Sequence, residues 1–205
     1  MKKVVLILLM IWNLSIFSQE TINKYEMSFF KDLPIEFAIK AGSYKNEKTF
    51  KFYIEAISQD SYTNDVELII KSKSLDKFKS NLLLSRKKFK EWKEVSEKNN
   101  VKKALKNIKV KRMNINARFK KYGEWHYDHM VEPIFKFTIL KGKPVLIIMN
   151  KFKLKSNKNQ FITSDGFYII FTNVDEINDF ISKLDKYKAI KVLSKMKSEN
   201  TLFKD

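Results

Sequence analysis

Apolar and polar positions alternate with period two along much of this chain, and twice the alternation gives way to a helical period. Phe135, Phe137 and Ile139 alternate with Lys136 and Thr138, which predicts a strand with one buried and one wet face. Lys141, Gly142, Lys143 and Pro144 read as a turn. Residues 145–149 are apolar at every position, as in a strand covered on both faces. Alternation resumes with Phe152 and Leu154 against Lys151, Lys153 and Lys155, predicting a further strand. Ser164, Asp165 and Gly166 break it, Asp-Gly being a strong hairpin dipeptide. Residues 167–171 are again apolar throughout and belong inside the sheet. Asn173 then offers a helix N-cap, and Glu176 three residues later completes a capping-box pattern. Ile177, Phe180, Ile181 and Leu184 fall on one helical face, and the helix is expected to continue through Tyr187, Ile190 and Met196.

The first half follows the same logic. Tyr25, Phe29, Phe30 and Leu33 suit a strand or a helix equally. After Pro34, Ile35, Phe37 and Ile39 alternate with Glu36 and Lys40, and Ala41, Gly42 and Ser43 predict a turn. Phe50, Phe52 and Ile54 alternate with Lys51, Tyr53 and Glu55, and a polar loop over 59–64 leads to a third strand at 66–70. Leu75, Phe78, Leu82, Phe89 and Trp92, spaced by three, four and seven, predict a helix over 74–98. Ser74 is its expected N-cap, and Asp76 suits the positive first turn. Leu83 and Leu84 lie off that stripe, which predicts a second cover over part of the helix. Beyond Asn99 and Asn100, a short helix is expected, with Val101, Ala104, Leu105 and Ile108 on one side. Met113, Ile115, Ala117 and Phe119 alternate as a strand, Gly123 marks a turn, and 124–131 reads as the next strand.

Together these elements predict an α+β fold: an antiparallel β-meander sheet, or sheets, with two principal amphipathic helices. Residues 50–54 echo 135–139, and 69–78 echo 168–177. A duplicated strand-then-helix module would leave such an echo, with halves at 34–98 and 108–197; so would chance likeness between amphipathic segments.

Residues 1–19 read as a secretory signal peptide. Lys2 and Lys3 precede an apolar run over 4–17 that is interrupted by Asn13 and Ser15. The run falls short of the roughly 18 apolar residues that span a bilayer. Cleavage after Ser18 or Gln19 would leave 20–205 as a single exported domain, periplasmic or extracellular, with no transmembrane span. The chain has no cysteine, so it lacks the lipid-modified cysteine of a lipoprotein.

Charge changes the picture further. The formal net charge is +18, and it is unevenly placed. Residues 20–70 hold 6 basic and 9 acidic residues, 71–121 hold 19 and 4, and 122–205 hold 14 and 10. In the predicted short helix, Lys102, Lys103, Lys106 and Lys109 oppose the apolar side; Arg86, Lys87 and Lys88 project from the longer helix; Arg118 and Lys120 share one strand face. These nine residues are the candidate anion-binding set. A Lys-rich composition throughout the chain gives the bland alternative, a solvated basic face.

Other chemistry is sparse. The two histidines, His126 and His129, are three apart, and on a strand such positions point to opposite faces. Trp125 and Tyr127 are expected to pack inward, leaving Glu124, His126 and Asp128 on a polar face. No structural metal and no cofactor is expected. There is no G-x-S-x-G, no H-E-x-x-H and no phosphate-binding glycine loop. The expectation is an exported, non-catalytic binding or accessory protein of the envelope or exterior, whose cationic surface meets an anionic envelope component (a lipid headgroup or polysaccharide). One alternative is an extracytoplasmic hydrolase with a site near His126. Another is an inhibitor or immunity-type protein that docks an acidic protein. Intracellular nucleic acid is not an expected partner, since no nucleic-acid-binding motif is present.

Overall fold

Strand β3 (Asn46–Ser58) organises the molecule, because two groups of strands meet on it. The computed structural model describes residues 19–29, 35–44, 46–61 and 65–201. The predicted signal peptide up to Ser18 lies outside those residues, as do Phe30, Leu33 and Pro34. The first group contains β1 (Gln19–Met27), β2 (Ile35–Tyr44), β3, β4 (Val66–Lys71), β6 (Ile115–Lys121) and β7 (Glu124–Val131), hydrogen-bonded in that order. The second contains β5 (Leu105–Ile108), β8 (Pro133–Leu140), β9 (Lys143–Asn150) and β12 (Phe167–Phe171). Within β3, Lys51 to Ala56 pair with β4, whereas Ile57 and Ser58 pair with Tyr168 and Phe167 of β12. Every pairing is antiparallel, and the fold is α+β, as the alternation predicts. A separate two-residue ribbon joins β10 (Leu154–Lys155) to β11 (Thr163–Ser164).

Helix α1 (Leu75–Lys98) enters through a single 3-10 turn at Ser72–Ser74. Its buried stripe is the predicted one. Phe78 meets Phe135 at a centroid distance of 6.3 Å, and Phe89 and Trp92 meet Phe137 at 6.1 and 5.8 Å. Helix α2 (Val174–Lys183) starts at a variant of the capping box, in which the glutamate bonds the residue before the N-cap. Asn173 Oδ1 accepts from Glu176 N at 2.9 Å, and Glu176 Oε2 reaches back to Thr172 N at 2.7 Å. Its Phe180 ring contacts both Tyr25 of β1 and Phe171 of β12, so α2 covers the seam between the two groups.

Several sequence expectations are corrected. The 101–109 segment is no helix: residues 101–104 are irregular and β5 follows, pairing with β8. There Lys106 and Ile108 share the face of Phe137 and Phe135, a period of two that a window with four apolar residues had disguised. Gly42 is not in a turn but inside β2, where the Tyr53 ring lies against it. A Cβ at that position would sit 2.9 Å from Tyr53 Cε2. The strand expected at 151–155 shrinks to two residues, and Phe152 is exposed. The helix expected to run on past Leu184 breaks. Asp185 Oδ1 caps a new helix, α3 (Lys186–Thr201), by accepting from Tyr187 N and Lys188 N. Leu83 and Leu84 remain exposed, although α2 meets α1 nearby through Arg86 and Asn178.

Candidate anion-binding surface

Acidic side chains are segregated by strand group. The sequences of β5, β8, β9 and β12 contain no Asp or Glu, while β1, β2, β3, β4 and β7 all do. From Glu97 to Glu124 the chain has no carboxylate side chain between those two residues. The carboxylate-free run therefore begins at the end of α1 and passes through the segment that leaves it and the outer strand β5.

The C-terminus of α1 sets that segment's path. Asn100 adopts φ 50°, its N–H donates to Glu97 O at 3.1 Å, and Val101 N–H donates to Ser96 O at 2.9 Å. This is a complete Schellman motif, and it turns the chain back along the last helical turn. Lys98, Lys102 and Lys103 lie at this end, where the helix dipole favours cations. β5 then adds Lys106, whose Nζ stands 5.2 Å above the Trp92 ring, and Lys109 follows it.

The structure divides the nine predicted residues. Lys87, Lys102, Lys103, Lys106 and Lys109 are exposed, and among the described residues none of them has a carboxylate within ion-pair distance. Lys111 and Arg112, exposed on the same acid-free run, belong with them although the pattern of faces had not singled them out. The uninterrupted absence of Asp and Glu would have found them. Arg86 is tied to Asn178 of α2, Lys88 pairs with Glu91 at 2.7 Å, and Lys120 pairs with Asp65 at 3.7 Å.

Arg118 differs from the exposed members of the set in being buried and paired with Glu67. It is 8% exposed, on the face of the first strand group that carries Tyr53, Glu67, Trp125 and Tyr127. Its Nε donates to Glu67 Oε2 at 2.6 Å, one Nη to Gln19 Oε1 at 2.7 Å and the other to Tyr127 Oη at 3.4 Å. Tyr53 and Trp125 hold the guanidinium between their rings, at 4.9 and 4.2 Å from its carbon. Glu67 also receives Lys40 at 3.1 Å, and Lys40 pairs with Glu55. Burial opposes the charge on Arg118, but the hydrogen bond and charge of Glu67 prevail and its pKa is raised. Nε and both Nη atoms of Arg118 are thus engaged inside the protein.

Trp125 and Tyr127 thus point to the face of Arg118, and the expectation that they pack inward is reversed. His126 takes the core side, opposite Phe119. A register shift between Ile115 and Ala117 lets Val131 turn inward further along β7. His126 Nδ1 lies 3.3 Å from Ser156 Oγ, and Nε2 lies 3.3 Å from Lys121 O. Ser156 Oγ also accepts from Lys158 N and Asn159 N. The pair pins the 151–165 excursion along the side of β7. Asp128 accepting from Lys155 N and Asn157 N donating to Tyr127 O hold it further. His129 instead faces Asn157. Among the described residues no group of three His, Cys, Asp or Glu side chains could hold a metal ion. A shallow cavity of about 410 Å³ opens elsewhere, between β1, β2 and the α2–α3 corner, with Lys24, Glu36, Lys183 and Lys188 in its lining.

Asn150 was missed by the sequence reading. Its side chain donates to Phe152 O and Asp165 O and accepts from Phe167 N, closing the base of the excursion. It occupies the space where a Cβ of Gly166 would stand, 1.9 Å from Asn150 Oδ1, and Gly166 has φ 111°. Only glycine meets both conditions. No protein family, characterised protein or solved structure was found to match the chain.

Proposed function

We propose that the protein is an exported, non-catalytic binding or accessory protein of the cell envelope or exterior, and that its α1–β5 flank recognises an anionic partner by charge. One observation carries this reading: exposed Lys102, Lys103, Lys109, Lys111 and Arg112 follow one another on a run without carboxylates, beside strands that also have none. A solvated face needs no such segregation, and the first strand group shows cations and carboxylates interleaved. The basic start and short apolar run of residues 1–19 support export.

Retention on heparin tests the charge reading. The variant Lys102→Glu/Lys103→Glu/Lys109→Glu/Arg112→Glu spares Lys106, which packs on Trp92. Wild type should elute at higher salt than this variant, with both equally folded by circular dichroism. Each Lys or Arg held near an anionic surface contributes roughly 1 kcal/mol, so the loss should be large. Equal elution would leave the flank a solvated face.

A hydrolytic reading has one observation in its favour, the contact between Ser156 and His126. It ranks second because both side chains are buried and each is engaged with the backbone.

A further inference from the structure

The cationic flank also exposes aliphatic side chains. Leu83 and Leu84 are 43% and 38% exposed, Val95 57%, Val101 38% and Leu105 69%. All five lie within the block that is poor in carboxylates. The exposed large aromatics Tyr122, Phe152, Phe161 and Tyr187 lie outside it. At 100° per residue, Leu84, Lys87, Lys88, Glu91, Val95 and Lys98 share one outward strip of α1, on which the single carboxylate is the one paired with Lys88. The Schellman turn brings Val101 back toward that strip's end, followed by Lys102 and Lys103. Two of the helix's four carboxylates are already neutralised: Glu91 pairs with Lys88 and Glu97 with Lys93.

We propose that this flank docks on an anionic lipid bilayer, with α1 lying in the surface plane, Leu84, Val95 and Val101 entering the headgroup–acyl boundary, and the surrounding lysines meeting the headgroups. The proposal rests on the charge reading above and narrows its partner. Aliphatic residues interleaved with lysines on a surface helix are what an interfacial anchor requires. A soluble polyanion draws on the charges but gains nothing from exposed Leu and Val, and single-stranded nucleic acid would stack on aromatics, which this flank does not expose. None of the described helices is long and apolar enough to cross a membrane.

Two variants separate the proposal from the reading it rests on. Leu84→Ser/Val95→Ser/Val101→Ser keeps every charge, while the quadruple Glu variant keeps every aliphatic. Both alter exposed positions, and thermal melts confirm that each folds. Binding is measured to vesicles of phosphatidylcholine alone and of phosphatidylcholine mixed with phosphatidylglycerol, beside elution from heparin. Wild type should bind only the mixed vesicles. The Ser variant should bind them about tenfold more weakly or worse, with its heparin elution unchanged. The Glu variant should lose both. If the Ser variant binds mixed vesicles as wild type does, or wild type binds heparin but no vesicles, bilayer docking is wrong and the charge reading survives. If the Glu variant keeps its heparin retention, the charge reading itself has failed.

Discussion

Arg118 and Glu67 are direct cross-strand partners on β6 and β4, joined at 2.6 Å and buried to 8% and 2% exposure. Glu67 is the hinge of a longer chain, with Lys40 and then Glu55 beyond it. Removing one member strands a charge away from water. Glu67→Gln should therefore cost about 3–5 kcal/mol in urea denaturation. The double variant Glu67→Leu/Arg118→Met should recover much of that loss. If it is no more stable than Glu67→Gln, the network is worth more than its desolvation suggests.

A second prediction concerns alkaline pH. Burial first, and the nearby Glu55 second, push the Tyr25 hydroxyl well above its ordinary range. Burial would lower Lys40, but the hydrogen bonds and charges of Glu55 and Glu67 outweigh it and raise it. In both cases the folded protein keeps a proton that the unfolded chain gives up. Stability is therefore full below about pH 10 and declines as pH climbs beyond it. Melting temperatures measured across that window should fall, and Tyr25→Phe should flatten part of the slope.

The buried histidine gives a third. His126→Ala removes the partner of Ser156 and of Lys121 O, at a cost of about 1–3 kcal/mol. The loss should be local. Hydrogen exchange should accelerate in residues 151–165 and along β7 while α1 keeps its protection. Uniform acceleration across the molecule would show that the excursion is no separate unit.

Phe171 and Lys153 make a fourth, contrasting pair. Phe171 is fully buried against Phe180, so Phe171→Ala should cost about 3–5 kcal/mol. Lys153 is exposed and pairs with the exposed Asp165, and Lys153→Ala should leave the denaturation midpoint unchanged.

What was legible in the sequence was whatever depends on local period. Residues 145–149 and 167–171 were recognisable as inner strands because nothing polar interrupts them, and α1 and α2 because their apolar spacing runs for several turns. What misled was choice of face. Trp125 and Tyr127 look like core residues, yet their outward neighbours are set by the register of β6 against β7, a long-range fact. Arg118 looked like a surface cation because its partner Glu67 is 51 residues away. Around 101–109, four apolar residues fit a helix face as well as a strand, and only pairing with β8 decides. For the candidate surface, the run without carboxylates was visible in advance, but its position along an outer strand was not.

The placement of β12 between β9 and β3 makes it the strand that joins the two groups. The hydrogen bond from Gln59 to Phe167 O spans 108 residues, and that from Asn23 to Lys183 O spans 160. Until Phe167–Phe171 is in place, the two strand groups have no common strand-to-strand hydrogen bonds, and the facing sides of β3 and β9 are open at their junction. Contacts of such sequence separation form slowly. A chain cut short before residue 167 would hold two unjoined sheets with unpaired backbone, a template for pairing with other copies. Among the described residues β12 is the strand furthest along the chain and the one that joins the two groups, and products cut short before it should aggregate where the full chain folds.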